Sequence, residues 1–339
     1  MKNNRSNIAG SLLGKTDIHV TPIGLGTWQF AGGYRGISGW YWPEITQQMA
    51  NQIIKSALDN GINWFDTAEC YGNGRSERLL ASSLKSCGVK NGDVTIVTKW
   101  WPLMRTADSI RRTIDDRLRA LDGFSIDLYL VHQPWSLSPV KSQMNAMAAL
   151  VEQGKVRSVG VSNFGAVLMS GAYKALKALG LPLAVNQVKY NLFDRTIESN
   201  RVLETAKEYG VTIIAWSPLD QGMLTGRYHD DPSLMKSLSW SRRKMYGFSD
   251  NKLETTRPVI MALKRIADKH NATVSQVALS WITNFHKGTV VTVVGASKAS
   301  HIEDNAKALH LNLSSDEIKE IDELSRPFKQ LNPFSKQER

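Results

Sequence analysis

Cysteine is nearly absent. Cys70 and Cys87 are the two in 339 residues, so no disulfide framework holds this chain, and a reducing compartment suits it better than a secreted setting. No apolar run reaches the roughly 18 residues that a membrane-spanning helix needs. The opening stretch MKNNRSNIAGSLLGK lacks the continuous apolar core of an export signal. The expectation is a soluble, cytoplasmic protein with no membrane partner. A glycine-rich nucleotide loop is missing too: Gly24-Leu25-Gly26 has Gln29 where a third glycine would complete the fingerprint, which excludes a Rossmann domain. Charge of one sign is not concentrated either. Lys and Arg number 42 against 31 Asp and Glu, a formal net charge of +11, yet the densest basic cluster is the triplet Arg242-Arg243-Lys244. Arg111, Arg112, Arg117 and Arg119 interleave with Asp115 and Asp116 at helical spacing, which reads as a solvated face in preference to a phosphate-binding stripe. No nucleic-acid partner is expected; a nucleic-acid-binding protein would show salt-sensitive retention on heparin.

What is present is periodic. With 42% hydrophobic and 22% charged residues the chain is globular and long enough to bury a large core. Short apolar runs occur at Ile23–Gly26, Asn63–Thr67, Val94–Thr98, Asp127–Val131, Ser158–Val161, Ala184–Val188, Val211–Ala215 and Val290–Val294. Between them lie stretches of helical period: Ile45–Asn60, Ser76–Ser86, Ala107–Leu121, Ser142–Gln153, Val167–Leu179 and Ser199–Tyr209. Gly61, Gly154, Gly180 and Gly210 follow four of these, where a helix stops in a left-handed residue. Eight strands alternating with helices and no break in composition predict an α/β protein, a (β/α)8 TIM barrel. A single domain over residues 1–339, with its core at about 16–325, is expected. Ser11–Gly14 and Ile18–Val20 read as a β-hairpin plugging one barrel end, and the C-terminus as a helical extension. Asp220–Thr256 interrupts the pattern as a long βα loop, which belongs to the functional face.

In such a barrel, chemistry sits where strands end. Asp66, Lys99 and His132 end consecutive strands, and Tyr71 stands in the loop after the first of them. A phenol titrates near 10 and is a poor acid at neutral pH, but an adjacent ammonium such as Lys99 would stabilise the phenolate. Asp66 would hold Lys99 in place, and His132 would orient a carbonyl oxygen. These groups can donate a proton to a carbonyl but cannot reduce it alone; a nicotinamide cofactor would complete the chemistry.

The segments Gly24-Leu25-Gly26-Thr27-Trp28, Phe65-Asp66-Thr67-Ala68-Glu69-Cys70-Tyr71-Gly72, Thr98-Lys99, Leu130-Val131-His132, Gly160-Val161-Ser162-Asn163-Phe164 and Trp216-Ser217-Pro218-Leu219 together resemble the aldo-keto reductase superfamily. The resemblance implies a barrel that reduces small-molecule aldehydes or ketones with NAD(P)H, no metal, and the tetrad Asp66, Tyr71, Lys99 and His132 with Tyr71 as proton donor. It also implies an extended dinucleotide across the barrel mouth near Gly26, Thr27, Trp28 and Asp66. Ser162, Asn163 and Gln187 would hold the carboxamide, and Trp216 would stack on the nicotinamide. Ser217, Pro218, Leu219, Gly222 and Leu224 would line the pyrophosphate channel. Gly295, Ser297, Lys298, His301, Asp304 and Asn305 match the adenosine site. Gly295 stands where some relatives have Lys, His301 where many have Arg, and Asp304 where Glu is commoner. Lys298 favours NADPH over NADH, because a free Lys suits a 2′-phosphate, and His301 would add charge as pH falls through about 6.5.

Trp28, Trp40, Trp42, Trp100, Trp101 and Trp135 fall in the first four βα loops or their rims, and Trp28, Trp101 and Trp135 are expected to form an aromatic substrate pocket. Cys70 reads as an inert thiol. The rival to a reductase is a non-catalytic, dinucleotide-binding auxiliary subunit, which would not consume NADPH. No motif speaks to the oligomeric state.

Overall fold

The computed structural model describes residues 10–33 and 42–329, leaving Trp40 outside the described residues. A two-stranded antiparallel hairpin, β1 (Ser11–Leu12) and β2 (His19–Val20), precedes eight parallel strands. These are β3 (Ile23–Gly26), β4 (Trp64–Asp66), β5 (Thr95–Trp100), β6 (Ile126–Val131), β7 (Val156–Ser162), β8 (Val185–Lys189), β9 (Thr212–Trp216) and β10 (Val290–Gly295). They pair in sequence, and β10 pairs with β3 to close the barrel. Helices α1 (Gln47–Asp59), α2 (Arg75–Ser86), α3 (Asp108–Ala120), α4 (Val140–Glu152), α5 (Ala166–Lys177) and α6 (Val202–Tyr209) follow the first six strands. Gly61, Gly154, Gly180 and Gly210 all have positive φ, as their helix-stopping role requires.

Between β9 and β10 the expected long loop Asp220–Thr256 is largely helical, with α7 (Arg227–Asp230), α8 (Trp240–Met245) and the start of α9 (Asp250–His270), and α10 (Val274–Phe285) follows it. Polar composition hid these turns, but Ser239, Ser249 and Thr273 each cap a helix N-terminus by accepting a backbone N–H. Then come α11 (Ala299–Ala306) and α12 (Ser315–Ser325). Among the described residues no helix is long and apolar enough to cross a membrane.

The barrel interior holds Trp64, Val97, Leu128, Leu130, Val185, Ile214, Val291 and Val293, closed from below by Leu13, Ile18 and Val20 of the hairpin segment. Trp64 is accommodated because β3 offers Gly24: a Cβ there would lie 2.2 Å from the indole. Side chains alternate along a strand, so two residues beyond Trp64, Val97 and Leu130 the same inward face presents Asp66, Lys99 and His132. By the same alternation Ile214 leads to Trp216 and Val293 to Gly295. Trp100 falls on the other face. It is fully buried against α3, donating from Nε1 to Ser109 Oγ at 3.0 Å, and so leaves the set of rim tryptophans.

The C-terminal helix is clasped to the barrel by Arg195, which is fully buried. Its Nε and Nη2 bond both Glu198 oxygens (2.6 and 2.7 Å), Nη2 also bonds Asp322, and Nη1 bonds Ser325 Oγ and the Asp322 carbonyl. Every guanidinium N–H is thereby used. Arg195→Gln should cost about 3 kcal/mol, because it strands Glu198 without its cation and leaves Asp322 paired with Arg326 alone. Urea unfolding measures this, and a loss below about 1 kcal/mol, the range of an exposed ion pair, would contradict the clasp.

Candidate active site

Asp66 is buried, with Oδ2 at 2.7 Å from Lys99 Nζ and Oδ1 accepting from Gln187 Nε2 at 2.8 Å. Lys99, with no exposed surface, also donates to the Thr67 carbonyl at 2.8 Å and lies 3.5 Å from the Tyr71 hydroxyl. The loop that carries Tyr71 is pinned by Glu69, whose carboxylate accepts the Trp101 N–H at 2.5 Å and pairs with Arg105. Tyr71 and His132 meet edge to face at 5.7 Å, and Trp101 meets His132 edge to face at 5.2 Å. The expected tetrad is therefore assembled.

Its electrostatics differ from expectation in one respect. Burial, and then the Asp66 carboxylate, push the Tyr71 hydroxyl well above its ordinary value. Lys99, whose ammonium Asp66 and the Thr67 carbonyl engage, does not outweigh these two effects in the resting site. Tyr71 thus holds its proton firmly, as a resting acid must. Burial, then Lys99, push His132 well below the ordinary imidazole range, so the ring is neutral. Its Nδ1 lies 3.4 Å from Cys70 Sγ. Burial pushes the Cys70 thiol up to about 12, which makes it a poor nucleophile.

A cavity of about 610 Å³ opens over this floor. Gly26, Trp28, Asp66, Tyr71, Trp101, His132, Ser162, Asn163, Gln187, Trp216, Ser217, Pro218 and Gly295, all anticipated, line it. Thr27 lies beneath, bonded to the Asp66 carbonyl and Ser76. Asn163 donates to the His132 carbonyl and Ser162 Oγ and accepts from Trp216 Nε1 at 3.0 Å; Ser162 donates to the Gln187 carbonyl. With these donors spent, the set offers chiefly acceptor lone pairs, which match the NH₂ of a carboxamide. Gly295 has a local reason to be Gly: a Cβ would meet the Gln29 side chain at 2.2 Å. Gln29 Oε1 in the same cavity wall is buried and has no hydrogen-bond partner among the described residues.

Other expectations need correction. Leu224 is buried, and the amides of Gly222 and Leu224 both donate to the Leu219 carbonyl, so neither N–H is left for a pyrophosphate. Asp304 commits its carboxylate to Gln276 Nε2 and Thr273 Oγ1, tying α11 to the start of α10, while Asn305 is buried beside it. Ser297 Oγ reaches His301 Nδ1 at 3.5 Å, and Lys298 stands at the N-cap position of α11 without a side-chain capping bond. Burial, then Lys298 and Arg227, lower His301 below 6.5, so its charge arrives at lower pH than the sequence implied. Trp135 is 40% exposed and touches the site through an edge-to-face contact with Trp101. Trp42 packs on Trp28 in the same way. Sequence reasoning missed Gln221, Tyr246, Leu103 and Val293 in the cavity wall and Arg227 beside His301. Gln221 had one signal, its place beside Gly222 in a turn of positive φ; Tyr246 had none, because the Ser239–Ser249 segment reaches the mouth only through tertiary packing.

A sequence profile of the Aldo/keto reductase family matches residues 22–326. The chain is 33% identical over 317 residues to the chloroplastic pyridoxal reductase of Arabidopsis thaliana, covering 88% of this chain and 82% of that protein. It is 31% identical to an aldo-keto reductase of Strobilurus tenacellus, over 90% of this chain and 89% of the other. A solved thermostable aldo-keto reductase, crystallised with the inhibitor epalrestat, superposes with a TM-score of 0.74 at 32% identity, over 93% of this chain and 99% of its own. With an eight-stranded closed barrel, an N-terminal hairpin and a profile match along nearly its whole length, this chain belongs to the aldo/keto reductase family of oxidoreductases.

Proposed function

We propose that this single-domain protein reduces aldehydes or ketones with NADPH, Tyr71 delivering the proton. The observation that carries the reading is the buried contact of Asp66, Lys99, Tyr71 and His132 on the floor of one cavity. When bound, the reduced nicotinamide supplies the hydride. Tyr71 holds the proton at its hydroxyl and releases it to the carbonyl oxygen as negative charge develops there. His132, neutral, donates a hydrogen bond that orients the same oxygen. Lys99, fixed by Asp66, places positive charge beside the phenol as its proton leaves. Gln187, Asn163 and Ser162 would hold the carboxamide of the cofactor, and Trp216 would offer its face to the nicotinamide ring. Trp28, Trp101 and Trp135 suit an aromatic substrate, and the relative named pyridoxal reductase takes its name from an aromatic aldehyde. Loss of NADPH absorbance with nitrobenzaldehyde tests the reading. Absence of turnover, with dinucleotide binding intact, would favour a non-catalytic binding subunit.

The preference for NADPH rests on Lys298, with Arg227 as a second cation that the local sequence does not reveal. Lys298 is exposed, so Lys298→Ala should weaken NADPH at the lower end of the range for a charge-assisted bond, about tenfold, and leave NADH nearly unchanged. Fluorescence titration with both dinucleotides decides; equal losses would refute the assignment. Because the His301 pKa is lowered, any extra preference for NADPH from its charge should grow only as pH falls below 6.5.

A further inference from the structure

Three consecutive residues of the loop after β4 reach three different partners. Glu69 accepts the Trp101 N–H, Tyr71 lies beside Lys99, and Cys70 between them sets its Sγ 3.4 Å from His132 Nδ1. The backbone holds this arrangement: the Glu69 N–H donates to the Lys99 carbonyl at 3.3 Å and the Tyr71 N–H to the Ala68 carbonyl at 3.1 Å. His132 is held as firmly. Its backbone N–H donates to the Trp100 carbonyl, its carbonyl accepts from Asn163, and Tyr71 and Trp101 each meet its ring edge to face. The residue is 8% exposed, and among the described residues no group bonds its Nε2. That nitrogen is not sealed in the interior: it keeps open surface, and the ring lines the catalytic cavity.

A neutral imidazole carries one N–H, so the contact with Cys70 decides which nitrogen has it. The ring is neutral because burial, and then Lys99, disfavour its cation, and the thiol keeps its proton at neutral pH. If Nδ1 carried the hydrogen, the sulfur would have to accept, which it does weakly, and the S–H would go unused. Nε2 would then turn a lone pair toward the cavity. If Nε2 carries the hydrogen, the S–H donates to a bare Nδ1, the better acceptor of the two. Tyr71 and Trp101 contact the ring through aromatic edges and faces, and Lys99 acts on it through charge, so Cys70 is the one group among the described residues that bonds Nδ1. The thiol stays unreactive; its hydrogen is what the site uses.

We propose that Cys70 is a positioning residue: its S–H donates to His132 Nδ1 and holds the imidazole in the Nε2–H form, which faces the cavity as a donor for the carbonyl oxygen of the substrate. The tautomer rests on the contact between Cys70 and His132, and its use in carbonyl reduction rests on the reductase reading above. Long-range 1H–15N correlation spectra of the full chain, labelled at its seven histidines and with His132 assigned by its absence in His132→Gln, read the tautomer without any turnover. Wild type should show Nε2–H as the dominant form at neutral pH. Because S–H is a weak donor, Cys70→Ala should raise the ratio of Nδ1–H to Nε2–H about three- to tenfold. Cys70→Ser, which keeps a hydroxyl donor, should restore the wild-type ratio. With an aldehyde and NADPH, kcat should track the Nε2–H share across the three proteins while dinucleotide affinity stays constant. A wild type dominated by Nδ1–H, an alanine variant with the wild-type ratio, a serine variant that behaves like alanine, or a kcat that ignores the ratio overturns the proposal. The expected tautomers without turnover in wild type would keep the Cys70 contact and remove the reductase reading instead.

Discussion

Tyr71→Phe is expected to lower kcat by about 10²- to 10⁴-fold and leave dinucleotide affinity close to wild type. The substitution deletes the hydroxyl 3.5 Å from Lys99 Nζ but keeps the ring that packs on Trp28 and His132. Steady-state kinetics with a dinucleotide titration separate the two effects, and a variant that keeps most of its turnover removes Tyr71 from the reaction. The wild-type pH profile carries a second signature. The Tyr71 pKa is raised, so the acid form persists throughout the neutral range, and turnover should not fall as pH rises from 6 toward about 9. The His132 pKa is lowered, so no limb should appear near the ordinary imidazole value of about 6.5. A limb there would mean that His132 changes charge during turnover.

Lys99→Met is expected to damage stability and turnover together. Lys99 and Asp66 are both buried, and removing the cation alone leaves the Asp66 charge uncompensated in a buried site. That loss typically costs about 3–5 kcal/mol. Turnover should fall at least about 10²-fold, because the charge that favours departure of the Tyr71 proton is gone. Adding Asp66→Asn removes the stranded carboxylate, so the double variant should recover much of the stability and none of the turnover. Urea unfolding beside steady-state kinetics distinguishes the effects. If Lys99→Met unfolds like wild type, the pair is not the buried ion pair that the geometry describes; if turnover returns in the double variant, Lys99 has no electrostatic role in proton transfer.

Local signals carried much of the site into view. The Asp66, Lys99 and His132 positions followed from strand ends, because period-two alternation assigns a face once the strand is recognised. The same logic failed at Trp100, where the strand continues past Thr98 and turns the indole outward to Ser109. It was silent on Tyr246 and Arg227, which reach the cavity and His301 from a segment whose course is set by packing and by ion pairs such as Lys252 with Asp220.

The chain's own pattern thus determined the barrel, its hairpin plug, the helix stops at glycine and the residues facing the mouth, since each depends on neighbours within a few positions. Tertiary structure alone decided which of those groups keep free hydrogen-bonding capacity. Lys99 spends its ammonium on Asp66 and the Thr67 carbonyl, Asp304 spends its carboxylate on α10, and Arg117 is carried from an apparently solvated stripe into a buried ion pair with Glu77. Charge state and donor availability depend on desolvation and on partners distant in sequence, and helical or strand periodicity contains neither.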